Sequence, residues 1–418
     1  MENINFTNDI AGTGKLSRWA RKLVLGQLEQ IAEGELTVYE GNQVLHFGQP
    51  ASDGLHASIT INDASCWRDM LTGGSIGAAE AFVAADWDTP DLTALLRLFA
   101  RNVDRMNQFE DRFSWLTKPA LKALHWANRN SESGSRKNIE AHYDLGNDMF
   151  ERFLDSTMMY SSAIFPAEDS TLEVAQFTKL DRICQKLDLS PRDRVVEIGT
   201  GWGGFAIHAA KHYGCHVTTT TISREQHDYA ARRIAEEGLE SRITLLFDDY
   251  RSLTGSYDKL VSIEMIEAVG PQYLPTYIEM VSKLLKDDGL ALIQAITLPE
   301  QRYDRALKNV DFIQRHIFPG SFIPSLAAIM GATQRNSDLV LTHLEDIGFH
   351  YARTLACWRE RFLASRNDLH VSGYDEAFVR LWNFYFCYCE AGFAERAIGT
   401  DQLLFAKPRN KRPNLVSL

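Results

Sequence analysis

Residues Glu197-Ile198-Gly199-Thr200-Gly201-Trp202-Gly203-Gly204 set an acidic side chain ahead of a run of glycines. Glycine reaches dihedrals closed to other residues and lets a ligand approach the main chain. Gly199, Gly201 and Gly204 meet the GxGxxG spacing of a dinucleotide site. Such a site needs an acid about 20 residues on, to hold a ribose. The segment there reads Thr218-Thr219-Thr220-Thr221-Ile222-Ser223 and has no acid. Glu197 suits a cationic ligand better than a pyrophosphate, and S-adenosylmethionine carries both an ammonium and a sulfonium. On these residues alone, S-adenosylmethionine, a dinucleotide and a tight turn without a ligand all stay open. Asp248-Asp249-Tyr250 follows an expected strand. One of its aspartates reads either as an acceptor for an adenine amine or as a helix N-cap.

A second group of residues is aromatic. Tyr143, Tyr160, Tyr250, Phe318 and Tyr351 recur near expected strand ends and loops. Singly each reads as core; together they would line an apolar slot whose ring faces favour positive charge. The six cysteines, Cys66, Cys184, Cys215, Cys357, Cys387 and Cys389, show neither CxxC nor zinc spacing. They read as free thiols, and no metal site is expected.

The elements that must position these groups are legible in the pattern. Residues 16–32 put Leu16, Trp19, Leu23, Val24, Leu28 and Ile31 near one helical face. Glu35–Tyr39 and Val44–Phe47 read as strands about a Glu40-Gly41-Asn42 turn, and Ala57–Ile61 as a third. The Gly73–Gly77 stretch then leads into Ala78–Ala85, with helices expected near 90–126. Farther on, strands at 194–198, 215–221, 243–247, 259–263 and 290–296 alternate with helices at 202–213, 224–237 and 274–285. That alternation implies an α/β fold, a parallel sheet covered on both faces with its ligand at the carboxyl ends of the strands. The polar stretch 128–137 (NRNSESGSRK) reads as a linker. It separates a small α+β domain, 1–127, from a catalytic domain, 138–418.

The chain of 418 residues is 45% hydrophobic and 24% charged, with a net charge of −11. The acidic balance argues against a nucleic-acid partner. Two basic segments, Lys15–Lys22 and Lys407–Arg412, read as solvated surface or as contacts to anionic headgroups, each nearby cation contributing about 1 kcal/mol. With neither an apolar run of spanning length nor a signal-peptide pattern, a cytoplasmic protein with peripheral membrane contact is expected.

Several motifs together resemble the cyclopropane-fatty-acyl-phospholipid synthase family, which includes the mycolic acid methyltransferases. They are His142-Tyr143-Asp144-Leu145-Gly146-Asn147-Asp148, Met159-Tyr160-Ser161-Ser162-Ala163, the glycine loop, and Thr221-Ile222-Ser223 with Gln226. Asp249-Tyr250-Arg251, Glu267 within MIEAVG, and Ile317-Phe318-Pro319-Gly320 complete the set. Gly74-Ser75-Ile76-Gly77 with Glu80, and Asp86-Trp87, resemble the N-terminal lipid-associated domain of the phospholipid enzymes. The resemblance implies a Rossmann-like class I S-adenosylmethionine methyltransferase domain. It assigns cofactor binding to Tyr160, Ser161, Glu197, Gly199, Thr200, Gly201, Gly203, Thr221, Ile222, Gln226, Asp249 and Tyr250. It also implies a bicarbonate ion held by Glu267, the Ile296 backbone and Tyr351. Where the family has a Cys and a His at that ion, this chain has Ser162 and Gln294. Both can hydrogen-bond an anion, but neither supplies a thiolate or an imidazolium.

The reaction so implied moves a one-carbon unit from S-adenosylmethionine to the double bond of an unsaturated phospholipid acyl chain. A carbocation follows, and proton loss closes a cyclopropane. A hydride shift before proton loss would give a methylene- or methyl-branched chain instead, and Ser162 and Gln294 lie where the proton's fate is decided. A non-catalytic lipid-binding protein and a nicotinamide oxidoreductase are the readings from other classes. The family also implies assembly as a homodimer.

Overall fold

The computed structural model describes residues 15–103, 105 and 146–413. The expected linker, the part of the expected helices that reaches residue 126, and His142–Leu145 lie outside the described residues. The chain forms two units: one takes residues up to 105 together with 376–384, the other takes 146–375 and 385–413.

The first unit opens with α1 (Lys15–Leu28), then β1 (Gly34–Glu40), β2 (Gln43–Gln49) and β3 (His56–Ile61). The β1–β2 hairpin turns at Gly41, whose φ of +54° glycine adopts freely. β3 runs parallel to β1, and β4 (Trp87–Asp88) pairs antiparallel with β3, giving the order β2-β1-β3-β4. Alternation along β1 buries Leu36, Val38 and Glu40. The Glu40 carboxylate is tolerated inside because it accepts from Arg21 Nε at 2.6 Å and Trp67 Nε1 at 2.8 Å. α2 (Cys66–Val83) starts well before the expected Ala78 and kinks at Gly74, with φ 58° and ψ −136°. The kink brings two turns together so tightly that a Cβ on Gly77 would lie 2.0 Å from the Asp69 carbonyl oxygen. α3 (Leu92–Arg101) is capped by Asp91, which accepts from Ala94 N at 2.9 Å.

The second unit carries the five expected strands, β5 (Arg194–Ile198), β6 (His216–Thr220), β7 (Ile243–Leu246), β8 (Tyr257–Ile263) and β9 (Leu285–Thr297). They are mutually parallel. Two further strands, β10 (Val340–Asp346) and β11 (Gly399–Ala406), extend the sheet antiparallel, in the order β10-β11-β9-β8-β5-β6-β7. The sheet is therefore mixed rather than wholly parallel. Successive strand residues point to opposite faces, so Val195 joins one core cluster and Val196 the other. On the first face Leu180, Ile183 and Leu187 of α4 (Leu172–Leu187), Phe205 and Ala209 of α5 (Gly204–Tyr213), and Ile234 of α6 (Arg224–Glu236) pack together. On the second, Tyr277, Ile278 and Val281 of α7 (Leu274–Lys283) meet Ile329 and Ala332 of α8 (Leu326–Asn336). Each fully buried Leu or Ile contributes roughly 1.5–3 kcal/mol relative to exposure. These two apolar layers cover the sheet on both faces. α9 (Gly348–Ala364) and α10 (Glu376–Ala394) add the aromatic side chains described next.

Candidate active site

The glycine loop leaves β5 and opens α5. Gly199, Gly201 and Gly203 all have positive φ, 98°, 53° and 88°. The peptides of Gly199 and Thr200 donate to Thr220 O at 3.2 and 3.0 Å, fixing the loop to the end of β6. Gly204 is needed for contact, not for dihedral freedom: a Cβ there would lie 2.6 Å from Met159 Sδ and 2.8 Å from Thr157 O. That approach holds the segment before Tyr160-Ser161 against the glycine loop. Arg233 of α6 ties the same two pieces, donating to Thr157 O at 2.9 Å and Trp202 O at 3.1 Å.

Glu197 is buried in β5, and its Oε2 accepts from Thr219 Oγ1 at 2.6 Å. Burial pushes its carboxyl up to about 8, with Thr219 and nearby Lys179 acting the other way. Lys179 is itself fully enclosed, its Nζ donating to Ser161 Oγ at 2.8 Å, and burial brings it down to about 8. Thr221 Oγ1 donates to Gln226 Oε1 at 3.0 Å, which leaves the Gln226 amide nitrogen to act as a donor. Ile222 is half-buried beside them. Asp249 caps a short turn, accepting from Arg251 N and Nε at 2.9 and 2.8 Å and forming an ion pair with Arg251. Tyr250 packs edge-on to Tyr277 at 5.7 Å, and its buried hydroxyl has no partner among the described residues.

At the ends of β8 and β9 stands a residue the sequence reading passed over. Glu264 Oε1 accepts from Ser162 N at 2.9 Å and Gln294 Nε2 at 2.8 Å. Its Oε2 accepts from Tyr351 OH at 2.7 Å. Glu264 has φ +49°, a left-handed backbone that a residue with a Cβ seldom adopts. Its own N–H donates to Gln294 O at 2.8 Å. Glu267 lies beside it, with Oε1 accepting from Ile296 N at 2.5 Å and Oε2 buried without a partner among the described residues. Burial, and then the Glu264 charge, push the Glu267 carboxyl up to about 8. Burial also raises Glu264, but Tyr351, Gln294, Ser162 and Lys179 all favour its anion. Of two neighbouring carboxyls, the one with more donors keeps the charge. The three donors therefore favour the charge on Glu264, and Glu267 is the carboxyl pushed toward its neutral form.

A buried polar chain sets the direction of this cluster. Lys186 Nζ donates to Gln402 Oε1 at 2.7 Å, and Gln402 Nε2 donates to Gln294 Oε1 at 2.9 Å. An ammonium only donates, so both amides are oriented and Gln294 must present its NH2 to Glu264. Lys186 is in turn paired with Glu345 at 2.5 Å.

Of the five expected aromatic residues, Tyr160, Phe318 and Tyr351 converge. Tyr160 lies 5.3 Å from Trp358 and 6.2 Å from Phe318, ring centre to ring centre. Tyr351 stands perpendicular to Trp358 at 6.0 Å and stacks on Phe393 at 4.4 Å. Tyr160 and Tyr385 share a hydroxyl hydrogen bond of 2.9 Å. Tyr250 sits apart with Tyr277, and Tyr143 lies outside the described residues. The six cysteines are free thiols, and the described residues hold no His/Cys/Asp/Glu group that could bind a metal.

The expected bicarbonate ion does not fit. Ser162 N, Gln294 Nε2 and Tyr351 OH are committed to Glu264, and Ile296 N to Glu267. Ser162 Oγ donates to Ala163 O at 3.0 Å. An anion placed there would find the donors taken and a carboxylate facing it. The donors expected to hold that ion at Ser162, Gln294 and Tyr351 are instead turned to the Glu264 carboxylate. One signal was present in the sequence: Glu264 stands three positions before Glu267 in EMIE, at the very end of the strand.

Residues 130–403 match the family model described as mycolic acid cyclopropane synthetase. The chain belongs to that family. It is 39% identical over 329 residues to the tuberculostearic acid methyltransferase of Mycobacterium tuberculosis, covering 77% of this chain and 76% of the relative. It is 35% identical over 354 residues to the cyclopropane-fatty-acyl-phospholipid synthase of Escherichia coli, covering 84% and 88%. A solved mycolic acid cyclopropane synthase complexed with SAH and CTAB superposes with a TM-score of 0.61 at 28% identity, over 65% of this chain and 98% of that one. The chain's central sheet is that of the class I methyltransferases, and the enzyme is an S-adenosylmethionine-dependent C-methyltransferase.

The cofactor suits the residues present. No atom lies within 4 Å of where a Cβ on Gly201 would stand, so the loop leaves its main chain accessible. Glu197 and Asp249 bring carboxyls of the kind a cationic, amine-bearing ligand would need, Asp249 being paired with Arg251. The end of β6 carries Thr220 and Thr221 in place of the ribose-binding acid of a dinucleotide enzyme. The oxidoreductase reading ends here.

Proposed function

We propose that this enzyme adds one carbon to the double bond of an unsaturated phospholipid acyl chain and closes it to a cyclopropane. The supporting observation is the convergence of the glycine loop, the Tyr160-Ser161-Ser162 segment and a hydrogen-bonded carboxylate at adjoining strand ends. Similarity to the phospholipid synthase supports the same class of substrate. S-adenosylmethionine, when bound, supplies an electrophilic methyl group. The residues proposed to hold it are Tyr160, Ser161, Glu197, Gly199, Thr200, Gly201, Gly203, Thr221, Ile222, Gln226, Asp249 and Tyr250.

An isolated alkene is a weak nucleophile, so alignment must supply much of the rate, and fixed geometry can contribute several kcal/mol. The hydroxyl bond between Tyr160 and Tyr385 and the Trp358 ring fix the aromatic wall. As the alkene takes the methyl, positive charge develops on the acyl chain. The faces of Tyr160, Trp358 and Phe318 stabilise that charge, and so does the carboxylate nearby. Tyr351, Gln294 and Ser162 hold the carboxylate, and the neighbouring Glu267 is held by Ile296 N.

The acyl chain is reached at a membrane surface. None of the described helices is long and apolar enough to cross a membrane, so the contact proposed is peripheral. Exposed Trp19 and Lys22 on α1 support a surface role for the first unit, here read as the lipid-associated domain 1–127 ahead of the catalytic domain 138–418. The C-terminal basic segment contributes less, since Lys407 and Arg409 pair with Asp338 and Asp287. A homodimer is the family expectation for assembly.

The test is proton NMR of lipids after incubation of the purified protein with monounsaturated phospholipid vesicles and S-adenosylmethionine. High-field ring protons are expected. Vinylidene protons would replace the cyclopropane with a methylene product, and unchanged lipid would favour a binding protein.

A further inference from the structure

We propose that the carboxylate of Glu264 is the base that removes the proton from the newly added methyl group, in place of any bound bicarbonate. This rests on the cyclopropanation proposed above. That reaction must lose one proton, and some group must take it. Tyr351 is a donor to Glu264, and burial and the Glu264 charge hold its phenol proton firmly. Lys179 donates to Ser161 and is cationic, and Glu197 is engaged with Thr219 inside the sheet. Glu267 is neutral. Gln294 and the Ser162 peptide can only orient. Glu264 alone of this cluster combines a carboxylate held by three donors with a position at the strand ends, where the ligand of such a sheet binds.

The backbone supports the same conclusion. Glu264 keeps φ +49° although glycine or asparagine would adopt it more easily. A strained residue held in place by its surroundings is a mark of function. Here the surroundings are four named contacts: the three donors to the carboxylate, and the Glu264 N–H bond to Gln294 O. The chain Lys186-Gln402-Gln294 fixes which face of the Gln294 amide meets the carboxylate. Lys186 and Gln402 are thus positioning residues.

The step balances without an added reagent. A C–H bond of the new methyl group breaks, and its electron pair forms the third bond of the ring at the cationic carbon. The proton passes to Glu264, which releases it to water when the product leaves.

The experiment uses the full-length protein in carbonate-free buffer. Binding of carbon-13-labelled bicarbonate is followed by NMR, and turnover is measured in parallel. Wild type is expected to bind no bicarbonate and to gain no rate from it. Glu264→Gln is expected to lose about 100- to 10,000-fold in turnover, the usual range for a general base, while keeping its melting temperature and its affinity for S-adenosylhomocysteine. Glu264→Gly relieves the backbone and frees the donors, so it should bind bicarbonate and regain part of its rate when bicarbonate or formate is added. Bicarbonate binding by wild type, or turnover within about threefold of wild type in Glu264→Gln, would overturn the proposal. If wild type yields no modified lipid, the reaction assignment fails, while the binding measurement still decides whether Glu264 fills the anion position.

Discussion

Replacing Tyr351 by Phe removes one oxygen and little else. The ring keeps its stacking on Phe393 at 4.4 Å and its edge contact with Trp358, so the fold should lose little stability. What disappears is the 2.7 Å hydrogen bond to Glu264 Oε2. A hydrogen bond to a charged group contributes about 1.5–3 kcal/mol. One pKa unit corresponds to about 1.4 kcal/mol, so the Glu264 carboxyl should rise by roughly one to two units. The direction follows from which form loses the bond: the anion is destabilised, and more of the protein holds a protonated, inactive Glu264 at neutral pH. On the acidic limb of the rate profile turnover should fall by about 10- to 100-fold and recover as the pH is raised onto the plateau, that limb being displaced to higher pH by the same one to two units. The assay is the rate of lipid modification against pH for both proteins, with melting temperatures measured alongside. An unshifted profile in Tyr351→Phe would refute the claim that this hydroxyl tunes the base. A large loss of melting temperature would make Tyr351 a core residue instead.

Two further outcomes follow from the cofactor side. Glu197 and Glu267 are both pushed up to about 8 in the folded chain, above their unfolded values. Their favourable contribution is complete at acid pH and is lost as pH rises through about 8, with a slope of at most about 1.4 kcal/mol per pH unit for each group. Calorimetry without cofactor should show a melting temperature that falls over this range, and Glu197→Gln should flatten the fall; an unchanged slope would count against a buried neutral Glu197. Gly201→Ala meets no atom within 4 Å, so its cost to the fold is the left-handed backbone, about 1–2 kcal/mol. Its added methyl should weaken S-adenosylmethionine binding measured by titration calorimetry, whereas unchanged affinity would place the ligand elsewhere.

The parallel strands were legible because each is a short apolar run ending at a turn or glycine, and β5 falls at the expected Arg194–Ile198. β11 was not legible, because Asp401 and Gln402 interrupt its apolar pattern. The structure buries both, with Asp401 accepting from Thr297 Oγ1 and Gln402 lying between Lys186 and Gln294. The kinked α2 was missed for a related reason: glycines at 73, 74 and 77 read as a break, whereas close packing of its two turns requires one of them. Motifs placed the cofactor loop and the Tyr160–Ser162 segment, but not the charge between Ser162, Gln294 and Tyr351. Those contacts join residues up to 102 positions apart, as from Ser162 to Glu264, and no local period records such a meeting. Glu264 falls one residue past the expected strand 259–263, where nothing in the local pattern marks it.

The ordered amides behind the site tie together residues far apart in the chain. Lys186 and Gln402 are 216 positions apart, yet one hydrogen bond joins them. Exchanging the lysine for an acceptor would reverse the preferred direction of both glutamines and turn an oxygen toward the Glu264 carboxylate. Positions 186, 294, 345 and 402 are therefore mechanically one unit. A change at one of them would leave a buried donor or acceptor facing its own kind unless another changed with it.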